Sequence, residues 1–208
     1  MSIAQQISVF NRQRKLKEFL DILHPTEKTT ILDVGFSEEE YSPGENYFEK
    51  NYAWPAQVTA LGTDTPDKFL TRYPLIKAVQ YEGYTFPFSD QSFDICISNA
   101  VIEHVGNHDL QVHFLKELKR VGKKTFFTTP NLYFPVEVHT RTLFLHWLPK
   151  KVFERYLRMT GKKWATNGYM NLLSERKIRR LLKEAGITDY RIIRNRYFLF
   201  VLDFVVIF

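Results

Sequence analysis

The chain has 208 residues, 44% of them hydrophobic and 25% charged. These proportions exclude global disorder and fit one domain that buries its core without staples. A single cysteine, Cys96, excludes an intrachain disulfide framework and a cysteine-cluster zinc site, and it suits a reducing, cytoplasmic setting. The net charge of +6 is divided: residues 1–110 carry 9 Lys and Arg against 16 Asp and Glu, and residues 111–208 carry 20 against 7. An acidic half suited to a cationic ligand thus precedes a basic half suited to an anionic one.

No run of 18 apolar residues suggests a bilayer-spanning helix, and the first residues do not read as a secretion leader. Apolar positions at Ile7, Phe10, Leu16, Phe19, Leu20 and Leu23 predict a helix over 5–23, closed by His24-Pro25. Thr29–Gly35 reads as a buried strand. Residues 36–56 are acidic, aromatic and turn-rich, which predicts a functional loop with a short helix at Tyr47–Asn51. Strands follow at Gln57–Gly62, Lys77–Tyr81 and Ser92–Asn99. Leu110, Phe114, Leu118 and Val121 mark an amphipathic helix over His108–Val121.

A fifth strand, Lys124–Thr129, is stopped by Pro130. Residues 131–172 read as an irregular aromatic and basic insert with a helix at Lys150–Met159. Ser174 caps a further helix that Gly186 ends. Ile187–Ile193 and Tyr197–Ile207 complete the strands as a hairpin. Strands alternating with helices predict an α/β fold: a doubly wound, mostly parallel, Rossmann-like seven-stranded sheet with one antiparallel strand near the C-terminus. The whole chain, 1–208, reads as one domain, with an N-terminal helical segment at 1–28.

Ligands of such a sheet sit beyond the carboxyl ends of its strands. Asp33 and Gly35 end the first strand there, Asp64 the second, Glu82 the third and Asn99 the fourth. An acidic residue after the second strand suits the two hydroxyls of a ribose. No G-x-G-x-x-G follows the first strand, which disfavours a nicotinamide dehydrogenase. The most specific stretch is Glu82-Gly83-Tyr84-Thr85-Phe86-Pro87-Phe88-Ser89-Asp90-Gln91-Ser92-Phe93-Asp94, followed by Ile97-Ser98-Asn99-Ala100-Val101-Ile102-Glu103-His104-Val105.

These residues resemble the class I S-adenosylmethionine-dependent methyltransferases, in the type 11-like subgroup with a D-x-x-x-L-P-F-x-D-x-S-F-D pattern and an x-E-H-V segment. The resemblance covers Ile31 to Pro130. It implies methyl transfer with S-adenosylmethionine as cofactor. It places Asp33 and Gly35 at the methionine end, Asp64 at the ribose, Glu82 and Phe86 at the adenine, and Asn99 where the fourth strand opens on the methyl group. Gly35 is followed by Phe36, Ser37 and Glu38 where the family continues G-x-G-x-G, so an extended loop replaces the tight turn and Glu45-Asn46-Tyr47 is expected to supply contacts.

His104 and His139 are the candidate bases for a hydroxyl acceptor. Glu137, His139 and His146 match no helical ligand spacing, so no metal is expected. The expected partner is a small-molecule acceptor: a sugar, a lipid-linked compound or another anionic metabolite, with peripheral membrane contact through the apolar tail open. Nucleic acid is disfavoured for want of a recognition module. The alternative reading is a methyltransferase-fold binding module without catalysis.

Overall fold

The computed structural model describes residues 3–137, 139–166 and 170–208. In chain order the elements are helix α1 (Ile3–Leu23), strand β1 (Ile31–Val34), α2 (Tyr47–Asn51), β2 (Val58–Gly62), α3 (Asp67–Arg72), β3 (Lys77–Gln80), β4 (Phe93–Asn99), α4 (His108–Val121) and β5 (Gly122–Pro130). They continue with β6 (Val136–Glu137), β7 (Thr142–Leu143), α5 (Lys150–Met159), α6 (Glu175–Glu184), β8 (Arg191–Tyr197) and β9 (Phe200–Ile207). Seven strands form one sheet in the order β3-β2-β1-β4-β5-β9-β8. The predicted α/β class and the antiparallel C-terminal pairing are both present. β1 lies parallel to β2 and β4, with Ile31 opposite Val58 on one side and Ile95 on the other. β8 and β9 are antiparallel.

The chain forms two compact units. The first runs to Ser98 and includes Arg120–Phe126; the second comprises Asn99–Lys119 and Phe127–Phe208. In the first, every residue of β1 is buried, as a strand paired on both edges requires. Of the apolar positions expected to line α1, Phe19 is the one fully buried; Phe10 and Leu20 are 56% and 38% exposed. Phe19 meets Phe48, Tyr52 and Phe126 edge-on, at 5.3, 6.3 and 5.5 Å between centroids. Cys96 is fully buried in β4. A Cβ on Gly122 would lie 2.7 Å from its Sγ, and burial pushes the thiol up to about 12.

In the second unit, Asn107 caps α4 by accepting from the Leu110 amide at 3.0 Å. Ser174 caps α6 by accepting from the Lys177 amide at 3.3 Å. α6 ends on Gly186 at φ 70°. The Gly186 amide donates to Lys183 O and that of Ile187 to Leu182 O, at 3.0 and 2.8 Å, a Schellman closure. Ile187 is the buried apolar residue of that closure, so the strand predicted from Ile187 begins instead at Arg191. The hairpin turns at Phe198-Leu199, both over 80% exposed, with Phe198 at φ 52°. No glycine or asparagine marks that turn, which explains why Tyr197 reads as the start of the last strand although it belongs to β8. α3 and the β6–β7 pair were not anticipated. Both are short, and β6–β7 lies within the insert expected to be irregular.

Candidate active site

The acidic loop after β1 is organised by Asn46. At φ 47° and buried, its Oδ1 accepts from the Ser37 amide at 2.9 Å while its Nδ2 donates to Ser37 O at 2.8 Å. The side chain thus imitates a strand partner. Glu40 is gathered in by Asn46, Tyr73 and Lys50. Burial alone would raise its carboxyl, but those donors hold it below the ordinary value. Glu38 accepts from the Lys68 and Phe69 amides at 2.9 and 3.2 Å at the start of α3. Phe36 is buried against Phe69, 4.6 Å between centroids, and lies over Gly62, where a Cβ would come within 2.7 Å of its ring. Glu45 accepts from the Tyr41 and Ser42 amides. The side-chain amide of Asn46 and one carboxylate oxygen of Glu45, Oε2, are therefore engaged within the loop.

Asp33 is buried at the end of β1, hydrogen-bonded to the buried Glu49. Burial, then the Glu49 charge and that hydrogen bond, push Asp33 well up, against the opposing pull of the Arg12 guanidinium. Burial likewise raises Glu49 to about 6. Its Oε1 has no partner among the described residues. Gly44 leaves room for Arg12, whose Nε would stand 2.8 Å from a Cβ there. Glu49 escaped sequence reasoning. A carboxylate on a five-residue helix, 16 positions from Asp33, carries no spacing signal.

Of the other expected cofactor residues, Gly35 takes φ 111° and its amide donates to Leu61 O at 2.8 Å. Asp64 and Glu82 are exposed, with Asp64 accepting from the Glu38 amide at 3.2 Å. Phe86 is buried, edge-on to Tyr81 at 5.5 Å. Its loop is pinned by Arg120, which donates to Phe86 O, Phe88 O and Asp90 at 3.0, 2.7 and 3.0 Å. Asn99 accepts from the Thr128 hydroxyl at 2.7 Å.

The second unit assembles its own polar cluster. His104 closes a 3-10 turn, Ile102–His104, after β4. Gln111 and Asn171 hold that turn, reaching Ile102 O and Gly106 O at 3.0 and 2.7 Å. His139 follows β6, next to Val138, which lies outside the described residues. The Nε2 atoms of His104 and His139 are 3.2 Å apart, with ring planes at 88°. His139 Nδ1 lies 2.8 Å from Glu137 Oε1. The buried Glu137 also accepts from the Thr140 amide and hydroxyl at 2.5 Å. Burial would raise Glu137, but His139 and Thr140 together bring it down to about 2. Glu103, fully buried, accepts from Thr129 Oγ1 at 3.0 Å. The two histidines expected separately as candidate bases thus lie side by side. His146 instead bonds Leu132 O at 3.0 Å.

Residues 44–125 match the family model described as a methyltransferase domain. No curated protein matches. Among solved structures, a SAM-dependent methyltransferase from Methanosarcina mazei is 19% identical, with 89% of this chain and 95% of that one covered and a TM-score of 0.57. One from Aquifex aeolicus is 19% identical, covering 92% and 87%, with a TM-score of 0.54. A possible histamine N-methyltransferase from Thermotoga maritima is 14% identical, covering 99% and 90%, with a TM-score of 0.59. Identities this low establish the fold alone, and the family match covers less than half of the chain. Residues 44–125 are thus similar to a methyltransferase domain, and the chain shares the fold of these solved SAM-dependent methyltransferases.

Proposed function

We propose that the chain methylates a nucleophilic oxygen on a small anionic acceptor. The observation that carries this reading is a cavity of about 230 Å³ in the second unit, whose apolar walls include Leu132, Leu148 and Phe153 and whose charged side chains are Lys150 and Lys177 against the single carboxylate of Glu154. Burial, then the Lys150 charge, lowers Lys177. A partly desolvated ammonium beside a second one favours an anion. An apolar wall with paired cations fits a carboxylate or phosphate joined to a ring or chain. The exposed Trp147, Leu148, Val152 and Met159, interleaved with Lys150, Lys151, Arg155 and Arg158, favour a lipid-linked member of that class.

The first unit fits the cofactor's cationic end. Asp33 and Glu49 are two buried carboxyls opposed by the guanidinium of Arg12, and one Glu49 oxygen has no partner among the described residues. An added ammonium would offset their desolvation. Gly35 would offer backbone close by, Asp64 would receive the ribose hydroxyls, and Glu82 with Phe86 would hold the adenine. Asn99, bonded to Thr128, would order the end of β4. When bound, the cofactor supplies an activated methyl group on a sulfonium. With Nδ1–H directed to Glu137, His139 sets its Nε2 against that of His104, 3.2 Å away, and the His104–His139 pair takes the acceptor's proton. Such a base contributes about 10²–10⁴-fold.

The test is transfer of labelled methyl to a panel of matched anionic and neutral acceptors, with and without Lys177→Ala. Anionic acceptors should be favoured, and the variant should raise their KM at least tenfold with cofactor affinity unchanged. Equal use of neutral acceptors would overturn the reading. A second reading, a binding module without catalysis, is favoured by Phe36 filling the position after Gly35 and by the Glu38 amide bonding Asp64. Calorimetry with S-adenosylhomocysteine separates the two, since heat of binding is expected only for the enzyme.

A further inference from the structure

Glu103, His104 and His139 offer three ligand atoms that all lie within 4.8 Å of one another. Two features set this cluster apart from an ordinary histidine pair. Glu103 is fully buried, Thr129 engages Oε2, and Oε1 has no partner among the described residues. A buried carboxylate with an orphaned oxygen costs free energy unless a cation meets it. His139, in turn, has its Nδ1 on the Glu137 carboxylate, the arrangement that fixes the ring tautomer and leaves Nε2 as a lone pair in metal sites.

The spacing agrees. Two imidazole nitrogens bound to one tetrahedral zinc at about 2.05 Å are separated by about 3.3 Å; the two Nε2 atoms here are 3.2 Å apart. We propose that Glu103, His104 and His139 bind one divalent transition metal, with zinc the best match to the donors, and leave a coordination position for an oxygen of water or acceptor. Two neutral nitrogens and one carboxylate are the composition of open zinc sites. Glu137 orients His139 from behind, and Thr129 orients Glu103. All five residues belong to the second unit. The donor set was hidden in the sequence because 35 residues separate the two histidines and only the folded chain brings them together. Metal binding stands on this geometry alone. Its consequence for catalysis rests on the proposed methyl transfer: with both Nε2 atoms taken as ligands, the histidine pair no longer acts as the base, and a more acidic acceptor hydroxyl at the open position takes over that part.

The experiment uses the full chain, stripped with a chelator and titrated with Zn²⁺ by calorimetry and with Co²⁺ by visible absorption, in parallel with S-adenosylhomocysteine. The expected result is one metal per chain, an intense tetrahedral cobalt band and a metal-dependent rise in Tm. Glu103→Gln and His139→Asn should each weaken binding at least tenfold. Glu137→Gln should weaken it about 10–100-fold, with circular dichroism matching the parent. Absence of stoichiometric binding by the wild-type chain overturns the inference whatever the variants do, and so does binding unchanged in both ligand variants. Nucleoside binding without metal binding removes the metal site and leaves the methyltransferase reading intact; metal binding without nucleoside binding does the reverse.

Discussion

Glu49 and Glu137 are both buried carboxyls, yet they are displaced in opposite directions. Glu49 faces Asp33, another carboxyl, and burial raises it to about 6. Glu137 overcomes its burial by accepting from His139 and Thr140 and lies at about 2. The stability tied to Glu49 is therefore fully present below its ordinary value of 4.5 and is lost as pH rises through about 6. That tied to Glu137 is present above 4.5 and is lost as pH falls through about 2. Glu49→Gln should raise Tm by several degrees at pH 7.5, a gain that shrinks toward pH 4.5, as thermal unfolding monitored by circular dichroism would record. Asp64, exposed and bonded to one loop amide, separates binding from folding. Asp64→Ala should weaken S-adenosylhomocysteine binding at least tenfold by calorimetry, with Tm within about 1 °C. His139→Ala should lower kcat at least 100-fold and leave cofactor affinity within about twofold.

Among the elements, the two capped helices test how local signals act. Ser174→Ala removes the side-chain acceptor at the start of α6 and should cost about 1 kcal/mol, a fall of about 2–4 °C in Tm. Arg120→Ala should raise the nucleoside Kd several-fold, because the loop carrying Phe86 hangs on that guanidinium. The elements were legible where their signals were local. Ser174 and Gly186 bracket α6, the apolar run of β4 stands clear of its neighbours, and the periodicity of α4 matches its span from His108 to Val121. Illegible features depend on distant partners. Ile187 looks like a strand residue until Leu182 claims its amide. Glu49 looks like a surface helix residue until Asp33 is placed beside it. The Phe198-Leu199 turn is apolar, so composition disguises it.

At the scale of the molecule, the carboxyl pair lies within the acidic residues 1–110, and the lysine-lined cavity within the basic residues 111–208. Among the described residues, no helix is long and apolar enough to cross a membrane. The single thiol adds a practical consequence. Cys96 is sealed beneath Gly122 and is almost wholly un-ionised at neutral pH, and alkylating reagents attack the thiolate. Modification of the native chain by such a reagent must wait for β4 to come free, so the rate of alkylation becomes a clock for that opening. Ligands that tighten the first unit should slow the clock, giving an assay for cofactor analogues that needs no acceptor and no turnover.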